Sequence, residues 1–303
     1  MSKAHVRLAI PLSLLGCLFA LPSAADTTFF STGDPDGRMA TATRPESAGG
    51  KFEIESADDF ALTHATSITD ATFTGLISGA PISDIGEVVV EIYQVFPNLS
   101  NVARTSGPPT FSTPKVPTRV NSPSDVELDS RDTTSGNLTF TTDVLNGSFT
   151  AANSVQPGGI HPKPGQTTGG NGPVTGEEVQ FDVNFTTPFT LAAGQYFFVP
   201  QVEVTDPNGN FFWLSAPRPI VSPGTPFPPG FTDLQSWTRD AALEPDWLRV
   251  GTDIVGVGTF NAAFSLSGAV IPEPSTWALM LLGFAGLFFA GYRHARQAAA
   301  PSA

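Results

Sequence analysis

The chain has little of what most catalysis relies on. Of its 303 residues one is cysteine and four are histidine, and the lone cysteine, Cys17, falls in the first apolar stretch. If that stretch is removed, neither a disulfide nor a thiolate metal site can form, and stability must come from packing. Only His64 and His161 lie between the two terminal apolar segments. Gly-x-Ser-x-Gly, His-Glu-x-x-His, a phosphate loop and Cys-x-x-Cys are all absent, which argues against a serine triad or a histidine-ligated zinc site, although one histidine suffices for a triad. Bases are scarce too: 15 Lys and Arg stand against 28 Asp and Glu, for a net charge of -13. Setting aside Lys3 and Arg7 at one end and Glu273, Arg293 and Arg296 at the other leaves -16 on the body between them. Such a body repels nucleic acid and anionic lipid and keeps an exported protein soluble. A sustained helical period is also missing between residues 26 and 270. Only Arg239 to Leu248 suggests one, and Pro245 argues against it.

What is present begins with two targeting segments. Lys3 and Arg7 precede an apolar run from Leu8 to Ala20, and Leu21-Pro22-Ser23-Ala24-Ala25 supplies small residues for signal-peptidase cleavage after Ala25. The run is short for an uncleaved anchor. Leu14-Leu15-Gly16-Cys17 offers a loose lipobox as an alternative, in which Cys17 would carry lipid.

The body, residues 26–269, reads as β-strands. Phe52 and Ile54 alternate with Lys51, Glu53 and Glu55, and Val88, Val90 and Ile92 alternate with Glu87 and Glu91. Phe181, Val183 and Phe185 alternate with polar neighbours, as do Phe260, Ala262, Phe264 and Leu266. Each such strand is expected to bury one face. Asp206-Pro207-Asn208-Gly209 between two apolar runs predicts a hairpin. Many short strands, no helices and abundant turn residues predict an all-β fold, a single antiparallel β-sandwich of jelly-roll type, with a closed barrel as runner-up. Thr105 to Asp125, Val155 to Gly176 and Pro217 to Gly230 are rich in Pro, Gly, Ser and Thr, and read as long loops rather than linkers. Two sandwiches split near residue 160 are the alternative organisation.

The end of the chain carries the most specific pattern. Val270-Ile271-Pro272-Glu273-Pro274-Ser275-Thr276 leads into an uncharged stretch from Trp277 to Gly291, followed by Tyr292, Arg293, His294 and Arg296. The two prolines hold the chain extended, Ser275 or Thr276 can cap a helix, and Trp277 and Tyr292 stand where an aromatic belt would lie. A transmembrane helix over 277–292 would rise about 24 Å, marginal for a bilayer core of roughly 30 Å. Arg293 and Arg296 place the short end, 297–303, in the cytoplasm and the body outside. The simple alternative is an ordinary single-pass anchor.

Residues 270–296 resemble the PEP-CTERM sorting signal of polysaccharide-producing Gram-negative bacteria: Pro272, Glu273 and Pro274 match the motif, Trp277 to Gly291 the helix, and Arg293 and Arg296 the basic end. The resemblance implies an exosortase-type enzyme as partner, which would supply the nucleophile, and a final place in the envelope or outside the cell. The body is similar to β-rich ectodomains often attached to this tail, through Ala57-Asp58-Asp59-Phe60-Ala61-Leu62, Ile68 to Gly75, Pro245 to Gly251 and Phe264 to Gly268.

Three further patterns invite chemistry. Asp58 and Asp59 are the carboxylate pair to inspect for glycoside hydrolysis, although neighbours on a strand point to opposite faces and cannot both line one cleft, and a strand start with one solvated carboxylate is the favoured reading. Asp34-Pro35-Asp36-Gly37 and Asp206-Pro207-Asn208-Gly209 each resemble half of a calcium loop without its closing glutamate, and turn chemistry explains both; no cofactor is expected. Trp213, Trp237 and Trp247 could form a sugar-stacking platform for extracellular polysaccharide, against the ordinary reading as core. The expected function is a non-catalytic surface or matrix protein, with a carbohydrate-binding module and then a secreted hydrolase as alternatives.

Overall fold

A computed structural model describes residues 27–47, 50–103, 120–160, 167–256, 258–272 and 274–298, with side chains in the terminal helix described for 278–294. The signal segment 1–25 with Cys17, His161, Glu273 and residues 299–303 lie outside the described residues, as do the side chains of Pro274, Trp277 and Arg296.

Fifteen strands and one α-helix follow in order: β1 (Thr27–Ser31), β2 (Ala40–Ala42), β3 (Ile54–Leu62), β4 (Thr66–Ser78), β5 (Ile85–Gln94), β6 (Asp129–Asp132), β7 (Thr139–Ala151), β8 (Ser154–Val155), β9 (Val174–Leu191), β10 (Gly194–Val204), β11 (Asn210–Ala216), β12 (Trp237–Asp240), β13 (Leu248–Arg249), β14 (Asn261–Ala262), β15 (Phe264–Val270) and α1 (Pro274–Ala298). They build two packed sheets. In the nine-stranded sheet β4 is the axis: β9 and then β7 line one edge, while the other edge is shared by β15 with β1 and by β11 with β2, β8 and β14. The six-stranded sheet runs β13-β12-β3-β10-β5-β6. Every pairing is antiparallel except β2 with β8. Strands from before and after residue 160 are interleaved in both sheets: β9 pairs β4 and β10 pairs β3 and β5.

The expected alternation supplies the core. Val88, Val90 and Ile92 of β5, Phe181, Val183 and Phe185 of β9, and Phe264 and Leu266 of β15 are all buried. Within the nine-stranded sheet Phe73 stacks on its cross-strand partner Phe181 with centroids 4.8 Å apart, and from one sheet to the other Phe198 stacks on Phe264 at 5.0 Å. Each such ring contributes roughly 1.5–3 kcal/mol by leaving water. Gly75 marks where β4 changes partner, from Phe264 opposite Phe73 to Trp213 opposite Gly75. A Cβ there would sit 2.2 Å from the Phe211 ring, so the close approach of β11 requires glycine.

Three expectations are corrected. The Asp206–Gly209 turn does not close a hairpin: β10 lies in one sheet and β11 in the other. The Gly209 amide donates to the Asp206 carbonyl, which makes Pro207 and Asn208 the central residues, and neither Asn208 nor Gly209 has the positive φ that a type I′ turn needs. Pro207 fixes φ negative and turns the chain across the sandwich instead. Secondly, β3 buries all nine residues rather than one face. Its outer side is covered by Leu234, Trp237 and Trp247 of the 233–249 segment, which cluster with Ala57 of β3, Tyr93 of β5 and Phe197 and Val199 of β10. Thirdly, the helix-free reading of residues 26–270 is interrupted by a π-helix at Val250–Val255, while residues 239–248, as Pro245 argued, are not helical and form the end of β12, turns and the start of β13.

Candidate functional site

The chain leaves the sandwich abruptly. β15 ends at Val270, and the Ile271 amide still donates to the Ala65 carbonyl at 2.7 Å, extending the ladder by one residue. Pro272 cannot donate, the ladder stops, and α1 begins at Pro274. Val270, Ile271 and Pro272 are exposed. Along α1 apolar side chains lie open on every side, including Leu279, Leu282, Leu287 and Phe288 at 68–80 % exposure. A helix apolar all round wants an apolar solvent rather than water. Among the described residues no helix is long and apolar enough to cross a membrane. The side chains described, 278–294, rise about 25 Å, short of a core of roughly 30 Å.

The chain enters at the same end that it leaves. Thr27 is paired with Gly268 in the β1–β15 ladder. Beside them a cavity of about 410 Å³ opens among Phe29, Leu62, His64, Thr66, Pro228 and Val270. His64 is exposed, and its Nδ1 is 2.9 Å from the Thr63 hydroxyl; among the described residues no carboxylate lines that cavity.

The tryptophans are not a platform. Trp213, Trp237 and Trp247 are 1–2 % exposed. Trp213 Nε1 donates to the Ala263 carbonyl and Trp247 Nε1 to the Ser124 carbonyl, so their rings serve the interior and cannot stack on a sugar. Asp58 and Asp59 are likewise corrected: both are 1 % exposed, and neither is a solvated strand start. They do point to opposite faces. Asp58 accepts from the Ala262 amide and the Ser236 hydroxyl inside the sandwich, and Asp59 accepts from the Leu234 amide and Gln195 Nε2 on the outer side. Burial, with Asp59 as neighbour, pushes the Asp58 carboxyl well up, and burial pushes Asp59 up to about 7 against the pull of those donors.

A second buried cluster had no signal in the sequence. The Arg239 guanidinium grips both Glu55 carboxylate oxygens and also donates to Tyr93 Oη at 3.0 Å, while Tyr93 Oη donates to Glu55 at 2.5 Å. Trp247 lies 4.3 Å under the guanidinium carbon. Further donation to the Asp125 and Pro245 carbonyls pins two loops onto the outer face of β3. Burial, then the Glu55 and Glu53 charges, drives the Glu91 carboxyl well up. Glu55, Tyr93 and Arg239 are sealed under Trp247 and those loops, whereas Glu91 is half-buried.

The two aspartate turns bind their own backbone. Asp36 Oδ1 accepts from the Ser215 hydroxyl and the Arg38 amide, and Asp206 Oδ1 accepts from the Asn208 amide. Among the described residues no group of three or more histidine, cysteine, aspartate or glutamate side chains is placed to hold a metal ion.

One open polar surface does exist. On the outer face of the nine-stranded sheet the register sets Thr28, Ser267, Asp70, Asn184 and Thr139 in one transverse row, with Ser265, Thr72, Asp182 and Thr141 in the next. Asn184 Nδ2 donates to Asp70 Oδ1 at 2.9 Å, and a depression of about 490 Å³ lies over β4, β7 and β9.

Compared with known proteins, residues 270–296 match the PEP-CTERM protein-sorting motif. No curated protein and no solved structure matches the chain. The chain thus carries this sorting motif behind a β-rich body, and the motif implies export, exosortase processing and C-terminal membrane anchoring or sorting.

Proposed function

We propose that this chain, a bearer of a PEP-CTERM sorting motif, is a non-catalytic ectodomain delivered to the cell surface or extracellular matrix of a polysaccharide-producing Gram-negative bacterium. A signal peptidase frees residue 26, and the helix over 277–292, short for a bilayer core by itself, crosses the inner membrane with the flanking residues of α1 making up the length and Arg293 and Arg296 on the cytoplasmic side. Exosortase then acts at Pro272, Glu273 and Pro274. The observation that carries this reading is the continuity of parts: the last core strand ends at Val270, two residues before the motif, and an all-round apolar helix follows at once. That the ectodomain is not an enzyme is supported by its interior carboxylates, which are spent on backbone amides and on Arg239.

The test is the mass of the C-terminal peptide of the protein recovered from its native bacterium. A terminus between Pro272 and Ser275, with the helix gone, supports sorting. An end intact through Arg296 reduces the tail to a simple anchor and overturns it.

A second reading, contact with extracellular polysaccharide, is favoured by the polar rows on the outer face of the large sheet. Their hydroxyls, carboxamide and carboxylates stand at strand spacing on an open surface, suited to hydrogen bonding with sugar hydroxyls. Asn184→Ala and Asp182→Ala should each weaken retention on the native polysaccharide; equal retention of both variants removes this reading.

A further inference from the structure

The acidic charge of this molecule is not spread evenly along its strands. β4 runs the length of the sandwich, and its thirteen residues reach about 40 Å. Near its C-terminal end stand Asp84, Glu87, Glu177, Glu178, Glu203 and Asp206: Glu177 is opposite Ile77, Glu178 opposite Leu76, the Glu87 amide donates to Glu203, and the Thr205 amide donates to the Asp84 carbonyl. At its N-terminal end the pattern reverses. The β3–β4 turn Leu62–Thr66, the β9–β10 turn Leu191–Gln195, the loop Pro226–Gly230 and the exit Ser267–Pro272 contain no Asp, Glu, Lys or Arg. These four segments converge: Thr66 pairs with both Leu191 and Val270, Leu62 with Gly194, and Pro228 shares the cavity lining with Leu62 and Val270. Thr63, Ala192, Ala193, Pro229, Val270 and Ile271 are exposed there.

The neutral end is also the tethered end. From Val270 to Pro274 the chain covers four residue steps, at most about 14 Å when extended. Two prolines in that stretch hold it extended and deny it slack for swinging. We infer that this end of the sandwich, whose four converging segments carry no charged side chain, seats on the phospholipid headgroups of the membrane that holds α1, with the strands rising away from the bilayer and the acidic end outermost. The inference rests on the membrane-anchoring reading of the tail and adds a defined contact face to it. Charge favours that seating: a net acidic body is repelled by anionic lipid, and the end whose four segments carry no charged side chain is the end the tether brings down. The acidic end stands several screening lengths away, since the Debye length is about 8 Å at physiological salt. Small and apolar side chains such as Ala193, Val270 and Ile271 then meet the interface without stranding a charge.

The experiment uses the full chain in a Cys17→Ser background, reconstituted in vesicles of phosphatidylethanolamine and phosphatidylglycerol. A fluorophore is placed at Ala193→Cys on the neutral end or at Asn208→Cys on the acidic end, with Thr63→Cys as a second neutral-end position. Flotation reports anchoring, and quenching by neutral acrylamide in the aqueous phase reports contact. Vesicle-bound chain is expected to show weaker quenching at residues 193 and 63 than at 208, because a label in the headgroup layer is shielded from the aqueous quencher. Chain that floats but is quenched equally at all three positions overturns the contact face and leaves anchoring intact. Chain that fails to float removes the anchoring reading and this inference together.

Discussion

Thr27 stands opposite Gly268 in the β1–β15 ladder, so the first described residues and the last residues before the sorting motif lie together at one edge of one sheet. The edge is held from within by Phe30, 1 % exposed, whose ring meets Phe227 and Phe264 at 5.4 Å each. The exit point of the tail is thereby fixed by packing at the entry point.

Phe30→Ala should therefore cost about 3–5 kcal/mol of unfolding free energy, the usual range for emptying a buried ring site. Denaturant unfolding of the exported chain measures it. It should also fray β1 and the end of β15, so amides 265–271 should exchange faster than those of β10, which has β3 and β5 on its two edges. Uniform exchange across both strands would show that β1 does not hold the exit.

Arg239 gives the second prediction. Its guanidinium is buried against Glu55, Tyr93 and Trp247, and removing it strands the Glu55 carboxylate. Arg239→Met should destabilise by about 3–5 kcal/mol, and the double variant with Glu55→Gln should recover a good part of that, because the cost lies in the uncompensated charge. Arg239→Lys should not rescue, since an ammonium cannot grip both carboxylate oxygens and reach Tyr93 together. Additive losses in the double variant would refute the pairing as the source.

How far the sequence foretells all this differs by level. Strand character was legible because period-two alternation reports burial directly, as at Phe181, Val183 and Phe185. The tail was legible because proline, apolar helix and arginine come in a fixed order. Pairing was not: Asn208-Gly209 looked like a hairpin turn, yet the partner of β10 was settled by which strands already flanked it, a long-range outcome that no local window contains. The coverage of the outer face of β3 was hidden for the same reason. Trp237, Trp247 and Arg239 come from a segment some 180 residues downstream, so Glu55 and Asp59 read as solvent-facing when they are sealed.

Asp59 gives a pH dependence. Its carboxyl rises from an ordinary 3.8 to about 7 in the fold, and Asp58 moves the same way. Between those values the folded chain holds a proton that the unfolded chain has released, so stability is greatest below about pH 4 for this group and is lost as pH rises through about 7. The loss is of the order of a few kcal/mol. Unfolding free energy at pH 5 should accordingly exceed that at pH 8. Asp59→Asn should flatten the slope, with Gln195 turning its amide to keep a hydrogen bond. A slope unchanged by Asp59→Asn places the linked proton elsewhere.

The tail gives the last prediction. Leu282 lies mid-way along α1, 68 % exposed in the isolated chain and flanked by apolar residues. An arginine at the centre of an inserted helix costs about 2.5–3.5 kcal/mol, which shifts insertion by roughly two orders of magnitude. Leu282→Arg should move the chain from the carbonate-resistant membrane fraction to the soluble one, while Leu282→Phe stays in the membrane. The soluble Leu282→Arg chain should keep its C-terminus through Arg296 if the sorting enzyme reads the motif only when the helix holds it at the bilayer. Leu282→Arg chain that is trimmed normally at Pro272 to Ser275 would mean that recognition needs only the short motif, and that the helix serves delivery without being required for processing.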